Sequence, residues 1–92
     1  MARPNQIEPA DRTKEYTDTD WATADVDLIA DSPTHEDMAR AIKIVEGSGT
    51  LVVDQKDADD EPMTVMIGDE EIVKLSKIKQ ATTGITRVRV YW

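Results

Sequence analysis

Apolar residues are rare in the first third of the chain and regular in the rest. Before residue 38 the large aliphatics are Ile7, Val26, Leu28 and Ile29, set among acids and interrupted by Pro4, Pro9 and Pro33. From Met38 onward Val and Ile dominate and Thr recurs, the composition of pleated, half-buried surfaces. Five strands are predicted. The first runs from Ala39 to Val45 and the second from Thr50 to Asp54, with Glu46-Gly47-Ser48-Gly49 between them as a tight turn. The third is Met63 to Ile67, after a polar loop over Asp57–Pro62 and before a turn at Gly68-Asp69. The fourth is Glu70 to Ile78, where Val73 and Leu75 differ in parity from Ile72 and Ile78, so a bulge or burial on both faces is expected. After a turn at Thr82-Thr83-Gly84, the fifth alternates from Ile85 to Trp92, with Val88, Val90 and Trp92 on one face and Arg87, Arg89 and Tyr91 on the other. Short strands separated by glycine turns predict an all-β fold: a small antiparallel β-sandwich or barrel of about five or six strands.

The polar start reads as a separate unit. Residues 1–27 are expected to form an extended acidic N-terminal arm, and residues 28–92 the β domain. Too little apolar surface lies in residues 1–25 to offset the entropy of ordering them. Tyr16 and Trp21 stand out there as aromatic anchors for docking on a partner. One short helical turn is predicted at Ser32–Met38, with Ser32 as N-cap, Pro33 at the first helical position and acids following.

Composition narrows the function classes. The 92 residues carry 11 Lys+Arg, 19 Asp+Glu, one His and no Cys or Phe, for a net charge of −8. Without Cys there is no disulfide framework, thiol nucleophile or Cys-type zinc site. The negative balance opposes general nucleic-acid binding, which releases counterions through positive charge. No uncharged run is long enough to span a membrane, and the first residues lack a signal peptide's apolar stretch. A soluble, non-enzymatic protein is expected.

Charge is divided along the chain. Residues 1–37 hold ten acids against three bases, whereas residues 72–92 hold Lys74, Lys77, Lys79, Arg87 and Arg89 and no acid. The acidic arm is expected to pair with the basic end, within a subunit or between neighbours, setting register and partner choice more than stability. A strand region this small, without Phe or disulfides, barely offsets its chain entropy at roughly 25 cal/mol per Å² buried. Self-association would supply the missing burial, and a homo-oligomeric ring would cover exposed strand edges.

Each candidate for chemistry has a plainer reading. The carboxylates Asp57, Asp59, Asp60 and Glu61 lack EF-hand spacing and read as a solvated hairpin loop rather than a metal site. His35 has no nucleophile of its own, since Ser32 and Thr34 are better explained as caps. Glu46–Thr50 lacks the Lys and the following helix of a phosphate loop. Arg87, Arg89 and Tyr91, with Trp92 at the chain end, read as an oligomer or partner interface, since Arg, Tyr and Trp are enriched at such contacts. No catalytic residue, cofactor or metal is expected.

Several short motifs then occur in a suggestive order: Ser32-Pro33-Thr34, Ala39-Arg40-Ala41-Ile42, Gly47-Ser48-Gly49-Thr50-Leu51-Val52-Val53, an acidic loop, Gly68-Asp69-Glu70 and Ile78-Lys79-Gln80-Ala81-Thr82-Thr83-Gly84-Ile85. Over residues 28–92 this order resembles small virion proteins of tailed bacteriophages and gene transfer agents, of the spike-base and head-decoration type. The resemblance implies a structural virion role: a ring on the particle surface, built in the host cytoplasm, docking to capsid or to a spike or fibre. The chain departs from that pattern in its Lys-Ile-Lys segment, more basic than is usual there. A non-enzymatic peptide- or ligand-binding β module is the alternative.

Overall fold

The structure is a computed structural model that describes residues 12–92. Its elements are β1 (Thr13–Thr17), α1 (Asp18–Trp21), β2 (Val26–Asp27), β3 (Ala41–Gln55), β4 (Glu61–Val65), β5 (Glu70–Glu71), β6 (Leu75–Ile78) and β7 (Thr83–Tyr91). The seven strands all pair antiparallel in one sheet that curls into a half-barrel.

The sheet is best understood as four ribbons. β3 is the long central one. Along one edge lies β6 followed by β7, and along its other edge β4 followed by β5. β1 and β2 lie in line on the outer edge of β7 and β6. Curling brings distant ends together: Ala39 bridges Leu75, and the Trp92 indole N–H donates to the Leu28 carbonyl at 2.9 Å. The concave face holds the core, including Leu28, Ile42, Ile44, Leu51, Val53, Leu75, Ile78, Val88 and Val90. On β7 the predicted alternation holds, with Val88, Val90 and Trp92 buried and Arg87, Arg89 and Tyr91 on the opposite face.

The Gly47–Gly49 turn is overturned. β3 runs unbroken through it, and the two predicted strands are one. These glycines are where β7 presses on β3: a Cβ at Gly47 would lie 2.5 Å from the Gly84 carbonyl oxygen, and one at Gly49 would collide with that of Thr83. The ladder shifts register three times between Ile44 and Thr50, which lets the long strand bend. Gly84, also predicted in a turn, sits inside β7 at φ 80°, and the turn is Lys79–Thr82, closed by the Thr82 N–H on the Lys79 carbonyl.

Three further expectations change. The fourth strand divides into β5 and β6 around Ile72–Lys74. Ser32–Met38 forms turns instead of a helix, because His35 adopts φ 62°. Buried Ser32 staples those turns, donating to the Ile29 carbonyl at 2.8 Å and accepting the Asp37 N–H at 3.2 Å. The helical turn is α1, opened by Thr17, whose backbone N–H donates to the Asp20 carboxylate at 2.8 Å. The Thr-x-x-Asp spacing before Trp21 was its sequence signal.

The boundary at residue 27 is corrected too. Residues 12–27 contribute β1, α1 and β2 to the same sheet and core, while residues 1–11 of the expected arm lie outside the described residues. Tyr16 and Trp21 are each only 3% exposed and belong to the core, so neither is a free anchor for a partner. Pairing of β1 with β7 turns Tyr16 inward by strand parity, and α1 carries Trp21 over the same core.

Candidate assembly surface

The predicted basic stripe is tied down within the chain. Arg89 on β7 meets Glu15 on β1, donating from Nη2 at 2.7 Å and from Nε at 3.2 Å. Its neighbour Arg87 meets Glu46 on β3 at 3.1 Å, while its Nε is enclosed without a hydrogen-bond partner. The acidic start and basic end of the sequence therefore pair inside one chain, across adjacent strands. Both pairs are half-exposed and add little stability, but they fix which strands lie together. Tyr91 is half-buried on that face, whereas Trp92 is 6% exposed and closes the half-barrel. Trp92 is thus corrected from interface to core.

Two further polar clusters serve the fold. Lys79, in the turn between β6 and β7, has its ammonium 3.0 Å from Asp25, 3.4 Å from Asp60 and 3.5 Å from Asp54. The hydrogen bond with Asp25 does most to hold Lys79 protonated, well above the ordinary lysine range. The acidic 57–61 loop is thereby anchored by a cation of the chain itself, and the Asp60 N–H donates to Asp54 at 2.9 Å. Among the described residues no group of His, Cys, Asp or Glu is placed to hold a metal ion. The second cluster joins the Tyr16 hydroxyl, which donates to Asp31 at 2.5 Å, and Lys14, 3.3 Å from the same carboxylate. Burial, then the Asp31 contact, pushes the Tyr16 hydroxyl far above its ordinary range. Burial alone would raise Asp31, but the bonds from Tyr16 and Lys14 bring it below the usual carboxylate value.

Asp25 gives a pH test. Its carboxyl lies below the ordinary range, first because the Gln80 N–H donates to it and then because of Lys79. A depressed folded-state value contributes stability above the unfolded-state value of about 4, and loses it as pH falls toward the folded-state value. Asp25→Asn keeps an acceptor for Gln80 but loses the ion pair. Urea unfolding should therefore find the variant less stable than the parent at neutral pH, with the gap closing below about pH 4.

His35 donates from Nδ1 to the Ala30 carbonyl at 2.6 Å, and the Ser32 hydroxyl is engaged with Ile29, so no nucleophile–base pair forms there. An open groove of about 460 Å³ lies beside Trp92, lined by Arg40, Lys56 and Lys74 and by Glu36 and Asp37.

The ribbon from β4 to Val73 carries no site residue that the sequence predicts. Among the described residues the exposed large hydrophobics are Met66 (65%), Ile67 (60%) and Ile72 (59%), all on this ribbon at the sheet's edge. Met66 and Ile67 sit in the turn before β5, where the Asp69 carboxylate accepts the Met66 N–H at 2.8 Å and the Ser48 hydroxyl accepts the Ile67 N–H at 3.1 Å. Those bonds hold the two side chains off the core. Met66 and Ile67 fall within the predicted third strand, Met63 to Ile67, so their exposure has no separate sequence signal. No known protein family, curated protein or solved structure matches the chain.

Proposed function

We propose that this protein is a non-catalytic building block that works by association, with copies of itself and with a larger particle. The observation that carries this reading is that Met66, Ile67 and Ile72, the large hydrophobics exposed among the described residues, all lie on one edge ribbon, whereas the Arg87–Arg89 face of β7 is polar and paired within the chain. Scattered apolar side chains are ordinary on a surface, but a cluster beside an unpaired strand edge is the signature of a contact surface. The motif order over residues 28–92 favours a virion particle of the tailed-phage or gene-transfer-agent type, with capsid, spike or fibre as partner.

The expected result in solution is concentration-dependent association by size-exclusion chromatography with light scattering. Substituting Met66→Lys and Ile67→Glu together should weaken it by about tenfold or more, at roughly 1 kcal/mol per side chain withdrawn from a contact. Circular dichroism should be unchanged, since neither side chain is buried. Unchanged association would refute the role given to this ribbon. Incorporation into purified particles, read by mass spectrometry, tests the virion role.

The groove beside Trp92 favours the alternative, a ligand-binding module. That reading predicts a chain monomeric at every concentration.

A further inference from the structure

The two outer edges of the sheet differ in what their backbones offer. On β1, the Trp92 N–H donates to the Arg12 carbonyl at 3.0 Å, which sets the alternation of the β1–β7 ladder. Thr13, Glu15 and Thr17 therefore point their N–H and C=O groups away from β7. The Thr17 N–H is taken by Asp20, leaving Thr13 and Glu15 with outward donors and acceptors that have no partner strand among the described residues.

On β4 the same reasoning gives a guarded edge. Val52 directs its N–H to the Thr82 hydroxyl and its C=O to the Lys79 N–H, both on the side away from β4. Its ladder partner Pro62 therefore faces outward, and so does Thr64 two residues on. Proline has no N–H to offer. The neighbouring outward donors are spent internally, that of Asp60 on Asp54 and that of Met66 on Asp69. From residue 60 to residue 66, Thr64 alone presents an outward backbone N–H.

We infer that β1 of one copy pairs antiparallel with β4 of the next, so that the sheet continues from copy to copy around a closed ring. This rests on the assembly reading and names the edges that meet. The sheet has four ribbons with alternating directions, so its first and last ribbons run oppositely. Rotational symmetry keeps every copy's strands in the same sense, and a neighbour's β1 therefore arrives antiparallel to β4. An even ribbon count makes this the natural join.

One alignment makes the most of the few groups available. Thr13 opposite Thr64 of the neighbour exchanges two hydrogen bonds, and the Glu15 N–H donates to the Pro62 carbonyl for a third. The same alignment puts Lys14 diagonal to Glu61, which has no ion pair among the described residues. It sets Thr13 beside Thr64 on the convex face, and it brings Met63 and Lys14 together on the concave one. Lys14 is thus the one cation of β1 brought toward the acidic end of β4, and the missing donor at Pro62 disfavours other alignments.

The test is Thr64→Pro, which removes that single outward donor and leaves every bond of β4 to β3 in place. Light scattering should find the variant at monomer mass under conditions where the parent assembles, at least about tenfold weaker in association. Thr64→Ala, which keeps the N–H, should assemble like the parent. A folded Thr64→Pro variant that assembles as the parent does would overturn the edge pairing and leave the assembly reading standing. A parent that stays monomeric throughout would overturn both. Should Thr64→Pro fail to fold, the double variant Thr13→Cys with Thr64→Cys decides. The chain has no cysteine of its own, so oxidation should give a ladder of covalent multimers on a non-reducing gel. Each single variant should stop at dimers. Monomer alone from the double variant would rule the pairing out.

Discussion

Gly47→Ala should destabilise the domain by about 3–5 kcal/mol, whereas Gly68→Ala should cost about 1–2 kcal/mol. The two glycines share nearly the same positive φ, 86° and 89°. A Cβ at either one is strained by roughly 1–2 kcal/mol in that region. Their surroundings differ. Nothing lies within 4 Å of a Cβ at Gly68, but at Gly47 it would stand 2.5 Å from the Gly84 carbonyl oxygen and 3.0 Å from the Ile85 Cα. Those are backbone atoms on a buried ladder, so β7 would have to withdraw from β3 and disturb Ile85 and Val88 behind it. Urea unfolding of the two variants separates backbone strain from close approach. Equal losses would mean that the bend in β3 does not depend on the contact with β7.

The second large effect concerns the start of the described chain. Trp21→Ala should cost about 3–5 kcal/mol, the usual range for emptying a buried indole site. A domain of this size has a total stability of only about 5–15 kcal/mol. Trp21 is buried with Tyr16, and β1 covers the edge of β7 from Arg87 to Tyr91. Removing residues 1–25 should therefore abolish the folded state in circular dichroism, not merely release a partner. The simple view of an arm as dispensable predicts a truncated protein that still melts cooperatively, and that result would show Trp21 and β1 to be peripheral.

Why the arm misleads as a sequence is physical. Hydrophobic periodicity reports an element that buries a whole face. β1 has five residues and buries one of them, Tyr16. Most of what holds β1 is the ladder to β7, whose partners lie 70 to 78 residues away in sequence, together with Glu15–Arg89. Such a strand borrows its stability from a partner already in place. The acidic loop misleads in a similar way. Asp57 to Glu61 looks like a cluster of like charges, yet Lys79, distant in sequence, sits against Asp60 and also reaches Asp25 and Asp54.

By itself the sequence determined the all-β class, the alternation of β7, the placement of the acidic loop between strands and the charge division that becomes Glu15–Arg89. Each of these is written locally, in side-chain period, turn chemistry or charge. Only the tertiary structure decided that Gly47 and Gly49 admit a neighbouring strand, that Tyr16, Trp21 and Trp92 are core, and that Met66, Ile67 and Ile72 remain outside. A glycine that turns a chain and one that lets another backbone approach leave the same letter in the sequence. An aromatic or aliphatic residue is inside or outside according to which distant strand lies against it, and strand pairing is non-local.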